Sequence, residues 1–280
     1  MKLKNIINKT QKLSLANKNV IFNLAGSVWV GILILSVTPQ YVSILGFDGY
    51  GILGFWLLMQ GLVSLLDIGV GAALIREFSS VSSLKTTAPD KKDVLRTLEY
   101  VYLALAVIAI VSLLLSASWI SESWLRSNVY SSDYLSDVIV KMGLAIGVQF
   151  FCSLYTNALI GLQRQRDMNI LQVTFHSSRH LLGLAIIYYT RDLAVFFLLQ
   201  LLIASMQLLI SRYVVRKAIS SENEFSPGFR LEIIVKMWRF SAGMAMTAFL
   251  GIMIANADRI VLSKLLLTDD LGKYAVAFTA

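Results

Sequence analysis

The chain is 280 residues long, 56% hydrophobic and only 15% charged, with a mean hydropathy of +0.68; soluble globular domains carry roughly 25% charged residues, so that class is excluded and the chain reads as a membrane protein. The net charge of +8 resides on basic residues flanking apolar runs, the mark of cytoplasmic loops rather than of a nucleic-acid surface. A single cysteine, Cys152, inside an apolar run excludes a disulfide framework and a cysteine metal site.

In chain order, a basic N-tail (residues 1–19, with Lys2, Lys4, Lys9, Lys12 and Lys18) precedes an apolar run of about 25 residues, well beyond the 7–15 of a secretory signal core. It reads as an uncleaved first span. Further spans of about 20 residues complete the series: Val20–Leu45, Tyr50–Ile75, Thr97–Ile120, Val138–Gly161, Asn169–Thr190, Leu193–Val215 and Ile233–Ala257, with an eighth opening near Leu271. Only helices satisfy their own backbone in lipid over such lengths, and the alternation of barrel strands is missing. The predicted fold is therefore an all-α polytopic transmembrane helix bundle: the N-tail, a first six-helix bundle (20–215), a cytoplasmic linker (216–232) and the start of a second, inverted or pseudo-symmetric bundle (233–280).

Lys and Arg placement orients the spans. With the N-terminus cytoplasmic, the tail, Arg76–Arg96, Gln163–Asp167 and Arg212–Arg239 lie inside, and they hold most of the basic residues. The outer segments hold few, such as Arg126 and Arg191. Odd spans then run outward and even spans inward. No loop exceeds about 20 residues, so function is expected among the helices.

The fifth span is the most informative. Its purely apolar part, Leu181–Tyr189, is too short to cross a bilayer, so the polar part belongs to the span. Gln172, His176, Arg179, His180 and Gly183 recur at spacings of three and four, one helix face. A charge such as Arg179 exposed to lipid at mid-span costs at least about 2.5–3.5 kcal/mol, so it is expected to face protein or water. The second span repeats the pattern with Gln60, Ser64, Asp67 and Gly71; the fourth carries Gln149, Ser153, Thr156 and Asn157; the sixth Gln200, Gln207 and Ser211; and the first Asn23, Ser27 and Gly31. Small and polar positions of this kind also serve as helix-packing contacts. Asp67 and Arg179 mark either a substrate pathway or an ion pair with each other. His176 and His180 stand at i and i+4, but no third ligand shares their face, so polar lining, or a proton relay, is read rather than a metal site.

An internal echo follows. "LGFDGYGILGF" (Leu45–Phe55) resembles "LTDDLGKYAVAF" (Leu267–Phe278): a short loop, Gly, Tyr and an apolar run ending in Phe, with six helices between the copies. The chain stops about nine residues into the eighth helix, which reads as a fragment of a longer protein or a truncated reading frame. These two stretches, together with "NADRIVLSKLLL", resemble the helix 1–2 and helix 7–8 regions of bacterial O-antigen and capsule repeat-unit flippases in the multidrug/oligosaccharidyl-lipid/polysaccharide exporter superfamily.

The resemblance implies a cell inner-membrane transporter for lipopolysaccharide or capsule biosynthesis. It would flip an undecaprenyl-diphosphate-linked oligosaccharide by alternating access, with membrane lipid, a polysaccharide polymerase and chain-length proteins as partners, no nucleic acid and no cofactor. Arg179, His176, His180, Gln172, Asp67, Gln60, Asn23 and Arg76 are the expected substrate-binding residues. In the resembling family an Asp-Arg pair closes helix 7; Asp258 and Arg259 are expected there, at the outer end, as a gate or as interfacial anchors. A drug or cation antiporter of the same superfamily would rely on Asp67 instead. A membrane glycosyltransferase or polymerase would need an extramembrane catalytic site, and the outer loop offers Asp133 and Asp137 but little else. No enzymatic activity is therefore expected.

Overall fold

The computed structural model describes the backbone of residues 2–80, 91–219 and 228–279, and most of their side chains from Asn23 onward. It is built of helices: α1 (Lys2–Ser80), α2 (Lys91–Trp119) prolonged by a π-helical turn (Ile120–Trp124), α3 (Ser132–Gly161), α4 (Gln165–Thr190), α5 (Leu193–Ile219), α6 (Leu231–Leu265) and α7 (Thr268–Thr279). No strand occurs among the described residues, as the all-α prediction requires. Of the predicted cytoplasmic segments Arg76–Arg96 and 216–232, residues 81–90 and 220–227 lie outside the described residues.

The first two predicted spans join at a single residue. The expected four-residue connection collapses into a break at Gly46, whose φ of 70° and ψ of 177° interrupt α1; only glycine takes such a backbone without strain. A first arm (2–45) and a second arm (47–80) leave this point. Helix ends also differ from expectation: the first arm already starts within the N-tail, α2 begins at Lys91, and α6 continues to Leu265. Asp258 and Arg259 therefore do not close their helix but lie within it, two turns before its end.

Four stretches among the described residues are long and apolar enough to cross a membrane: 23–67, 91–124, 132–161 and 193–219. The first contains the Gly46 break and so holds parts of two predicted spans. α4 has the length, but its centre is occupied by Gln172, His176, Ser177, Ser178, Arg179 and His180, and such a helix enters a bilayer only with its polar face covered.

Relative helix directions follow from the contacts. The first arm and α4 pair in the same direction, Asn23 with Asn169 and Trp29 with Ser177. The second arm and α3 do likewise, Gln60 with Gln149 and Asp67 with Asn157. α2 runs against α3, with Glu99 on Tyr155 and Gly147 beside Ile110. The alternating pattern of outward and inward spans has this consequence.

Two apolar clusters fill the interior. One, at the end holding Gly46, contains Tyr41, Phe55, Ile139, Phe196 and Phe197, with Trp56 edge-on to Phe197 at 5.4 Å between ring centres. The other, towards the basic connections, contains Leu74, Phe78, Tyr102, Leu154 and Tyr155, with Tyr102 stacked on Phe150 at 5.4 Å.

At the Gly46 end the four predicted outer connections meet. Asp48 accepts hydrogen bonds from Thr268 and, at 3.4 Å, from Ser127, and Thr268 N–H donates to the Arg126 carbonyl at 2.8 Å. The α4–α5 hairpin turns on Arg191 in the left-handed region (φ 52°). Asp192 then accepts from Ala194 N–H at 2.7 Å, capping α5, and from the Tyr134 hydroxyl at 2.8 Å. Burial, together with the carboxylates of Asp48 and Asp192, pushes the Tyr130 hydroxyl above the usual phenol range.

The two halves of the internal repeat touch here. A Cβ on Gly51 would collide with the Thr268 carbonyl, and one on Gly272 with the Phe47 carbonyl, while Gly54 faces Ala275. The contacts are reciprocal: Phe47 and Thr268, Gly51 and Gly272, and Gly54 and Ala275 are equivalent residues, each pair 221 positions apart. Such reciprocity is what a two-fold axis produces at a contact between equivalent segments. The sequence echo matched Gly49 and Tyr50 to Gly272 and Tyr274; the geometry instead matches Gly51 to Gly272. The two helices run in the same direction, so the local relation is a parallel repeat, not an inverted one.

Candidate functional site

The polar stripes of the second arm and α3 face one another. Because residues three and four apart share a helix side, Gln60, Ser64 and Asp67 meet Gln149 and Ser153 across one cavity of about 240 Å³. That volume holds several waters. Gln60 Nε2 donates to Gln149 Oε1 at 2.9 Å, bracing one wall. Asp67 accepts from the Tyr102 hydroxyl, and Asn157 Nδ2 reaches both its oxygens at 3.0 and 3.1 Å. Gly71 makes this possible: a Cβ there would overlap Asn157 Nδ2 and approach Asp67 Oδ1 to 2.8 Å.

Asp67 and Arg179 are not an ion pair, so one of the two readings of these charges fails. The face of α3 that carries Cys152, whose thiol lies 3.5 Å from the Ala204 carbonyl, looks towards α5, and Arg179 lies on that side. It is only 5% exposed. Its Nη2 donates to Gln207 Oε1 at 2.6 Å, and its backbone carbonyl accepts from Gln200 Nε2 at 3.2 Å. Its Nε and the Gln200 Oε1 are buried without hydrogen-bond partners. Among the described residues no carboxylate forms a salt bridge with it. An uncompensated guanidinium at mid-span is costly, and intramembrane charges of this kind mark function.

The remaining α4 stripe departs from the expected open face. Gly183 is covered by the Tyr41 hydroxyl, Phe196 and Gln200; Gln172, His176 and His180 are half-buried, and the His180 carbonyl accepts from Tyr41 at 3.1 Å. The face packs against the first arm and α5 because the small residue and the amides let helices approach closely. Asn23 accepts from Asn169 and so joins this packing. No group of three metal-ligating side chains occurs among the described residues. Arg76 is exposed at the basic end of the second arm, away from the cavity.

Asp258 and Arg259 point at α7. Asp258 accepts from the Tyr274 hydroxyl, and the Arg259 guanidinium lies 3.5 Å from the centre of the Phe278 ring. The two side chains clamp α7 onto α6 rather than facing the polar cavity. Nearby, Trp124 Nε1 donates to Ser263 at 3.1 Å, tying the end of α2 to α6.

Sequence reasoning did not single out Tyr102 or Glu99. The signal was present, since Glu99, Tyr102, Ala106 and Ala109 keep spacings of three and four along α2, but a stripe half made of alanine does not stand out in an apolar run.

The sequence model of a protein family described as "Polysaccharide biosynthesis protein" matches residues 16–280. No curated protein and no solved structure gives a significant match.

Proposed function

We propose that this chain, which belongs to the polysaccharide biosynthesis protein family, is a transporter and not an enzyme, and that it flips a polyprenyl-diphosphate-linked oligosaccharide across the bacterial inner membrane. The observation that carries this reading is Arg179, a buried guanidinium with an unused Nε and no carboxylate partner among the described residues. A diphosphate is the ligand that a planar guanidinium fork matches best. Arg179 would exchange the amide oxygen of Gln207 for phosphate oxygens when α4 and α5 part.

The sugars would take the cavity amides and hydroxyls of Gln60, Gln149, Ser64 and Ser153, and the polyprenyl tail would stay in lipid. Closure at the Gly46 end, with the basic end on the cytoplasmic side, corresponds to a conformation sealed towards the periplasm. Rocking of one bundle against the other at the Gly51–Gly272 contact would open it. Under this reading the N-terminus is cytoplasmic, and a polysaccharide polymerase and chain-length proteins take over the delivered repeat unit.

A second reading rests on Asp67, a carboxylate in the cavity wall that no described basic residue pairs: a drug or cation antiporter would use it as the central site. Mass spectrometry of lipids co-purifying with the intact gene product in mild detergent separates the two. A glycan-bearing polyprenyl diphosphate, lost in Arg179→Ala, is expected. Bulk phospholipid alone, with binding of small organic cations abolished by Asp67→Asn, would replace the flippase reading by the antiporter one.

A further inference from the structure

The wall of the polar cavity carries a single charge. Gln60, Ser64, Asp67, Gln149 and Ser153 supply its polar groups, and no described lining residue is basic. Both oxygens of Asp67 accept hydrogen bonds, the pattern of an ionised carboxylate. The groups around it are neutral: the Tyr102 hydroxyl, the Asn157 amide at 3.0 and 3.1 Å, and the Ser153 hydroxyl beside them. Such donors satisfy its hydrogen bonds and leave its charge in place.

The buried carboxylates of α2 are matched by cations. Glu99 has Arg96 at 3.0 Å, Arg216 at 3.3 Å and Arg212 at 3.4 Å, and Asp93 has Arg230 at 2.6 Å. Charges withdrawn from water are ordinarily paired in this way. Asp67 instead borders the cavity, and its counter-charge has to come from what fills it.

The hydroxyls add to this bias. Ser64 donates to the Gly61 carbonyl at 2.6 Å and Ser153 to that of Phe150 at 2.7 Å. Their protons are spent on their own helices, so a guest meets their oxygens as acceptors. Gln60 and Gln149, bonded to each other at 2.9 Å, retain groups of both kinds. The wall is therefore negative and rich in acceptors.

We propose that, for the lipid-linked saccharide cargo on which this assignment rests, Asp67 makes the cavity selective: it favours a sugar bearing a protonated amine, admits a neutral one and rejects an acidic one. The ammonium supplies the missing counter-charge, and ring hydroxyls donate to Ser64 and Ser153. A hexuronate would bring a second carboxylate to the same wall, and like charges repel strongly where little water screens them.

Saturation-transfer NMR on the intact protein in lipid nanodiscs tests this with three pyranoses of one ring shape: glucosamine, glucose and glucuronate. At about pH 6 a sugar amine is protonated and a hexuronate ionised. Glucosamine is expected to bind at least about tenfold more tightly than glucose, and glucose at least about tenfold more tightly than glucuronate. Asp67→Asn should bring the three within about twofold of one another. It does so by weakening glucosamine and tightening glucuronate, and disrupted folding cannot tighten a ligand. Gln149→Glu, which adds a second carboxylate to the wall, should widen the preference. Asp137→Asn, at a carboxylate bonded to Lys141 outside the cavity, should leave it unchanged. Cyclohexylammonium, a cation without hydroxyls, should bind at least about tenfold more weakly than glucosamine.

No binding, equal binding or another order of the three sugars, or the parent's preference kept in both cavity variants, would overturn the proposal; a co-purifying glycan lipid would still leave the flippase reading standing. Cyclohexylammonium bound as tightly as glucosamine would overturn both, in favour of the antiporter.

Discussion

Gly51 and Gly272 meet backbone to backbone, each occupying the space that the other's helix leaves only because neither has a side chain. The contact joins the second arm of α1 to α7 at the end where Asp48 binds Thr268. It is the crossing point of the two repeats, with the buried polar groups around Asp67 and Arg179 beneath it.

Replacing Gly272 by valine places branched carbons where the Phe47 carbonyl lies, so the two helices must separate at this end. Thr268, which is buried, should then become reachable. With Cys152→Ala as background, Thr268→Cys is expected to react slowly with a membrane-impermeant thiol reagent in the parent and at least about tenfold faster in Gly272→Val. Equal rates would mean that the contact is not the closure.

Tyr102 and Asn157 hold Asp67 from two helices. Tyr102→Phe removes one donor from a part-buried carboxylate and is expected to cost about 1–3 kcal/mol in denaturant unfolding in detergent. Asp67→Asn in the same background should cost less than the sum of the single changes, because the two residues share one hydrogen bond. Additive costs would place Tyr102 outside the Asp67 network.

At Arg179 the informative substitution is on its partner. Gln207→Glu supplies the carboxylate that the guanidinium lacks, so thermal unfolding in detergent should occur at higher temperature while surface polysaccharide falls to the level of Arg179→Ala. A built-in counter-charge competes with a phosphate. Retained polysaccharide in Gln207→Glu would remove Arg179 from cargo binding.

The orientation of the bundle is open to direct labelling. Asn128→Cys, at the Gly46 end, and Arg166→Cys, at the basic end, are both exposed positions. In intact cells an impermeant reagent should modify the first and reach the second only after permeabilisation. The reverse pattern would invert the assignment of the two membrane sides.

Hydrophobic length, basic flanks and three-to-four spacing are local properties, and the sequence by itself determined what depends on them: an all-helical membrane bundle, the alternating directions of its helices, and the stripes of Gln60, Ser64 and Asp67 and of Gln149, Ser153 and Asn157. Periodicity says which residues share a face but not which face meets which. Only the tertiary structure decided that Asp67 is held by Tyr102 and Asn157 rather than by Arg179, that the α4 stripe packs against neighbouring helices instead of lining the cavity, and that Glu99 gathers three arginines. The register of the repeat belongs to the same class, because the match of Gly51 to Gly272 is set by how closely two backbones can approach. Pairings across helices depend on the rotation and depth at which each helix docks, and those are fixed by packing with residues far away in the chain.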